Sequence, residues 1–265
     1  KNYLTLDRKT IMQALLWDSA LNFDFNKAKK ILPETEKPLI LCEEELSGNI
    51  HSGGHFGSQT KDVAYRLYKT LPDSNIVIFI RNQIEMISSI YKQYIKEGGT
   101  HSSKRYLFPH HYLKKSGFSP RYVPLFSFDH LDYYLLISHY INLFGKDNVY
   151  VFLYEDFKFD NLNFINQYKQ LFNLEYNFNN ISYKKLNTAY RRHIMNIAKF
   201  INHFTYRDVV DKKYIINIPS IYKKAHKKLS KLNKYEIFGT TPSTFEILDE
   251  KTISFIKDFY KNNNQ

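Results

Sequence analysis

An α/β fold, with a central parallel sheet flanked by helices and a helical C-terminal part, is what the sequence predicts, and three observations predict it. Two unbroken apolar runs, residues 76–80 and 149–154, are too short for helices and carry the β-branched and aromatic content of strands buried on both faces. Stretches of helical period lie before and after each run, the alternation expected of a parallel sheet. With 43% apolar residues and only 9 Gly and 8 Pro in 265, the composition is that of one folded domain spanning residues 1–265, and neither disordered nor collagen-like.

In chain order, periodicity predicts helices over residues 7–20 and 26–32, then a short buried strand over 38–42. Residues 58–71 read as a helix with Ser58 as N-cap and Pro72 as stop. The strand over 75–80 passes directly into a helix over 83–97, closed by Gly98-Gly99. An irregular stretch with Pro109, Pro120 and Pro124 follows, after which Asp129 is expected to cap a helix that runs to Phe144 and ends at Gly145. A strand over 149–154 comes next, and helices fill most of the remainder, broken near Pro219 and from Gly239 to Pro242.

No apolar run approaches the roughly 20 residues of a membrane-spanning helix, and no basic segment leading into an apolar one marks a signal peptide. A single cysteine, Cys42, makes no internal disulfide, so a reducing cytoplasm is the simplest compartment. Charge is unevenly distributed. Residues 182–265 hold 17 basic against 7 acidic residues, net +10, whereas residues 1–181 carry net +2. Such a field attracts nucleic acid, acidic lipid, polyanionic glycan or a phosphate-rich cofactor alike. Lys223, Lys224, Lys227, Lys228, Lys231 and Lys234 recur at helical offsets and form one cationic stripe, which a solvated surface also explains.

Ligands of open parallel sheets lie at the carboxyl ends of the strands, which directs attention to the residues after Cys42, Ile80 and Tyr154. Arg81 emerges where a strand meets a helix N-terminus, so its donors add to the free N–H groups of the first turn as an oxyanion or phosphate site. Ser89, on the side opposite Ile84, Ile87, Tyr91 and Tyr94, either faces solvent or reaches a bound group. Glu43, Glu44 and Glu45 repel one another unless wet, paired or used; a general base, a metal ligand and a solvated turn all fit. His51 and His55 stand four apart, but Gly53 and Gly54 between them argue for a loop, and nothing completes a zinc set. His110-His111 reads as surface or pocket lining, and Glu155 and Asp156 as caps of a following loop.

Taken together, Leu41-Cys42-Glu43-Glu44-Glu45-Leu46-Ser47-Gly48, Ile76-Val77-Ile78-Phe79-Ile80-Arg81-Asn82-Gln83 with Ser89 eight residues after Arg81, and Val149-Tyr150-Val151-Phe152-Leu153-Tyr154-Glu155-Asp156-Phe157 resemble the sulfotransferase family, particularly bacterial carbohydrate-type members, over residues 39–174. The resemblance implies a fold similar to P-loop nucleotide kinases. It also implies the donor 3′-phosphoadenosine 5′-phosphosulfate, no metal, and a carbohydrate or polysaccharide acceptor in place of nucleic acid. Arg81 and Ser89 would bind the donor's 3′-phosphate, Asn187, Arg191 and Arg192 would complete that pocket, and Glu44 would be the general base, with Glu45 and Glu43 next in order. His51, His55, His101, Lys104 and Arg105 are expected to line the acceptor site. The family's first strand and its Gly, Ser and Thr-rich phosphosulfate loop have no match here, and the start at Lys1 is read as a chain trimmed after that element. A nucleotide or sugar kinase, or a non-catalytic binder of anionic glycan or nucleic acid, are the alternatives.

Overall fold

In the computed structural model the chain runs as β1 (Leu4–Thr5), α1 (Arg8–Leu15), α2 (Phe25–Ile31), β2 (Leu39–Ile40), α3 (Ser58–Thr70), β3 (Ile76–Ile80), α4 (Gln83–Lys96), α5 (Ser103–Leu107), α6 (Tyr133–Phe144), β4 (Val149–Leu153), α7 (Tyr154–Phe159), α8 (Asn161–Leu171), α9 (Arg192–Ile201), α10 (Ile221–Leu232), α11 (Thr244–Ile247) and α12 (Glu250–Tyr260). The structure describes residues 2–108, 125–175, 188–206, 212–213 and 215–261; Asn187, His110-His111 and most of the irregular stretch around them lie outside the described residues. Two compact units emerge, one of Lys1–Asn49, Gly57–Arg81 and Asp132–Lys184, the other of Ile50–Phe56, Asn82–Leu131 and Lys185–Gln265.

The first unit is mixed α/β with parallel strand pairing. Instead of one central sheet, its described residues form two parallel pairs, β1 with β2 and β3 with β4. The first pair is only two residues long, because β2 is bounded by Pro38 and by the turn that begins at Glu43. In the second pair Ile76 opposes Val149 and Ile80 opposes Leu153. Side chains alternate across the pleat: Ile76, Ile78 and Val149 pack on a core that contains Ile11, Leu15, Leu67, Tyr140 and Phe144. On the opposite face Phe79 stacks on Phe152 with ring centroids 5.6 Å apart, and Phe164 and Tyr168 of α8 close over them. Helices therefore cover both faces, but the strands are half-buried, not the fully buried runs expected, and Phe79 stays 54% exposed.

Several element ends differ from the sequence expectation, each for a local reason. Gly57, not Ser58, precedes α3: its φ of 79° is left-handed, which glycine adopts without strain, and Ser58 becomes the first helical residue. Asp129 accepts a hydrogen bond from the Ser127 hydroxyl within a 3₁₀ turn, and Asp132 caps α6 instead, accepting from the Leu135 N–H at 3.1 Å. The first helix stops at Leu15, because the buried Arg66 guanidinium donates to the carbonyls of Leu15 and Asp18 at 3.0 and 2.8 Å.

The second unit is helical among its described residues. Ile87, Ile90, Tyr91, Tyr94 and Ile95 of α4 are its buried stripe. Gly99 follows because a Cβ there would collide with the Tyr94 ring. Asn202 donates to the carbonyls of Ile95 and Gly99 at 2.9 and 2.8 Å, so its side-chain oxygen accepts from His226 Nε2, leaving Nδ1 to accept from the Tyr190 hydroxyl. One buried amide thereby ties the end of α4 to α10.

Candidate functional site

The carboxyl ends of β3 and β4 place four polar groups together. Arg81 follows β3 and lies half-buried, its guanidinium carbon 4.8 Å from the centre of the Tyr154 ring. Such a contact contributes about 0.5–2 kcal/mol and holds the planar fork in one orientation. Tyr133, at the start of α6, is within reach of the Arg81 backbone N–H, and burial pushes its hydroxyl up to about 12. The Arg81 N–H and guanidinium pull it back and Glu155 adds to the rise, so the phenol remains protonated at neutral pH and can donate. Glu155 and Asp156, expected to cap a loop, form the first turn of α7, where carboxylates suit the free N–H groups. Tyr133 and Tyr154 were not singled out by the sequence. The signal available was Tyr154 as the last apolar residue before the acids.

Arg8 organises the acidic turn after β2. Its guanidinium nitrogens lie 2.7 Å from Glu43 Oε1 and 2.9 Å from Glu45 Oε1. The turn is a 3₁₀ helix of Glu44–Ser47, with Glu43 as N-cap accepting from the Glu45 N–H at 3.4 Å. Glu43 and Glu45 are thus paired, and the exposed Glu44 carboxylate makes no ion pair among the described residues. Of the three carboxylates, Glu44 is the one left exposed to solvent.

The N-terminus of α4, expected to offer free donors beside Arg81, is partly occupied. Asn82 Oδ1 accepts from the N–H groups of Ile84 and Glu85 at 3.1 and 3.3 Å. At the β1–α1 junction Asp7 accepts from the Thr10 N–H and hydroxyl and so caps α1. A similar correction applies to Arg191 and Arg192. Arg191 donates from Nε to Asn233 O at 3.0 Å and from a terminal nitrogen to Gly239 O at 2.6 Å, while Arg192 pairs with Glu246. Both guanidinia are engaged in holding the chain around α9, although Arg191 also lines an open cleft of about 550 Å³ with Thr188, Ser230, Lys234 and Thr241.

Of the remaining expected residues, Ser89 is half-buried on α4 in the second unit, whereas Arg81 belongs to the first. His51 is buried, with Nδ1 2.9 Å from the Tyr106 hydroxyl and Nε2 3.0 Å from Glu97 Oε2. His51 and His55 lie on a 3₁₀ helix, Ile50–His55, not in a loop; three residues per turn separate their faces, and His55 is exposed. His101 is buried, its main chain held by the Tyr91 and Tyr94 hydroxyls at 3.0 and 3.2 Å. Burial of His51 and His101 leaves exposed Lys104 and half-buried Arg105 of α5 as the more accessible members of the expected acceptor lining. Among the described residues no cluster of three His, Cys, Asp or Glu side chains could hold a metal ion, and no helix is long and apolar enough to cross a membrane.

No protein-family model matches the chain, and no curated protein does. Among solved structures, the chain is similar to the crystal structure of a sulfotransferase from Alicyclobacillus acidocaldarius, at 17% identity and a TM-score of 0.43. The similarity covers 61% of this chain and 62% of that one.

Proposed function

We propose that this protein transfers a sulfuryl group from 3′-phosphoadenosine 5′-phosphosulfate to a hydroxyl, or an amine, of a carbohydrate acceptor. The observation that carries the reading is Arg81: a guanidinium at the carboxyl end of a parallel strand pair, oriented by the Tyr154 ring, within the strand-to-helix sequence that resembles sulfotransferases. Arg81 would bind the 3′-phosphate. Arg191 and Arg192 contribute less than the sequence suggested, since carbonyls and Glu246 already hold them.

In the proposed reaction the acceptor oxygen attacks sulfur, the bond from sulfur to the bridging phosphate oxygen breaks, and Glu44 takes the acceptor proton. The products are the sulfated acceptor and 3′-phosphoadenosine 5′-phosphate. Charge builds on the departing phosphate and the transferred group, so cationic and N–H donors supply most of the stabilisation. The protein incubated with radiolabelled donor and a panel of polysaccharides should move label into an acceptor, and 3′-phosphoadenosine 5′-phosphate should bind by calorimetry and compete with the donor. If ATP binds and the phosphoadenosine nucleotides do not, the reading gives way to the kinase.

A further inference from the structure

We propose that the second unit docks on an anionic lipid bilayer through the surface formed by α9, residues 215–218 and α10. The inference does not rest on the proposed activity. It begins from apolar side chains held outward by ordered backbone. Ile215 is 75% exposed and Phe200 65% exposed, and Ile197, Ile216 and Ile218 are exposed beside them in the chain. The Ile215 N–H donates to His203 O at 2.7 Å and the Ile218 N–H to Phe204 O at 3.0 Å. The segment is therefore strapped to the end of α9, with Phe204 packed edge-on to Phe200.

This strap leads directly into α10, which buries His226 and Leu229 and exposes Lys223, Lys224, Lys227, Lys228 and Lys231. Between residues 212 and 235 the sequence holds 8 Lys and no Asp or Glu. Charge of one sign next to fixed, exposed Ile and Phe side chains selects the occupant. A soluble polyanion would use the lysines and leave the apolar side chains in water. An anionic bilayer uses both: isoleucine and phenylalanine enter the boundary between headgroups and acyl chains, while the lysines stay with the lipid phosphates.

The test is sedimentation of the full chain with vesicles of phosphatidylcholine alone and of phosphatidylcholine mixed with phosphatidylglycerol, at low and high salt. Binding is expected to the mixed vesicles, weakened by salt. Lys223, Lys224, Lys227 and Lys228 changed together to Glu should reduce partitioning about tenfold or more. Ile215→Ser with Ile216→Ser should also reduce it while leaving retention on immobilised heparin intact. A Cys42→Ser, Ile216→Cys chain labelled with an environment-sensitive dye provides a second readout that does not depend on the multiple variants folding; its emission should shift to the blue on anionic vesicles. Absence of binding and of the shift would overturn the proposal. So would lipid binding indifferent to the isoleucine changes, which marks a plain polyanion site, or lipid-free self-association abolished by them, which marks a second copy as the occupant.

Discussion

At the carboxyl end of β1 and β2 one guanidinium, Arg8, pairs with two of three successive carboxylates, whereas at the carboxyl end of β3 and β4 one guanidinium, Arg81, lies against the Tyr154 ring, in a cluster with Tyr133 and Glu155. Both places are ends of parallel strands, so backbone geometry is common to them. The surroundings differ because the Arg8 guanidinium bridges two carboxylates, whereas an aromatic face covers that of Arg81. Arg8 is neutralised by Glu43 and Glu45 and can attract no further anion, leaving Glu44 as the free acid of that end. The Tyr154 ring face restricts the orientation of the Arg81 guanidinium. A strand end is therefore a position for chemistry, and the partners of its arginine decide which chemistry.

The comparison breaks most decisively at Glu44. If that end supplies the base, Glu44→Gln should lower turnover by about 10² to 10⁴ with donor affinity almost unchanged, measured as label transferred per enzyme under saturating donor. Loss of activity in Glu45→Gln instead would show that pairing with Arg8 does not disqualify a carboxylate. At the other end, Arg81→Ala should weaken binding of 3′-phosphoadenosine 5′-phosphate by about 2–5 kcal/mol in calorimetry. Equal affinities would remove the anion site from β3.

Tyr133 sharpens the contrast through pH. Its folded hydroxyl holds the proton to about 12, whereas the unfolded chain releases it near the ordinary value of 10. Stability from this group is therefore complete below about pH 10 and is lost as pH rises toward 12, an effect of up to roughly 3 kcal/mol. Urea denaturation at stepped pH should show the wild type losing more stability than Tyr133→Phe across that window; parallel curves would mean that the phenol is not buried. The smallest effect is expected at Arg8. Its guanidinium is 55% exposed although Glu43 is almost fully covered, so solvent screens the pair and Arg8→Ala should cost about 1 kcal/mol by chemical denaturation. A loss several times larger would indicate that Glu43 is left as a buried, unpaired charge.

Much of this architecture is legible in the sequence, and what is legible shares a cause. The strand of β3 and the helix of α4 follow from a β-branched apolar run that changes to helical period at Asn82, and Gly145 ends α6 at a φ of 85°. The lysine offsets of α10 place those side chains on the exposed face opposite Leu229. These are properties of residues a few positions apart, which backbone stereochemistry and burial of one face determine locally.

What the sequence did not determine is which polar groups are already engaged. Arg191 is an ordinary candidate anion ligand until the fold brings Gly239 O, 48 residues away, to within 2.6 Å of it. Glu43 and Glu45 read like Glu44 until Arg8, more than 30 residues earlier, reaches two of the three. Ser58 and Asp129 were good local caps, displaced by a left-handed Gly57 and by a hydroxyl at Ser127. Composition and period describe what a segment is able to form. The partner of a charged or hydrogen-bonding group is chosen by whichever distant segment packing brings within about 3 Å, and hydrogen-bond and ion-pair energies fall too steeply with distance for any pattern along the chain to carry that information.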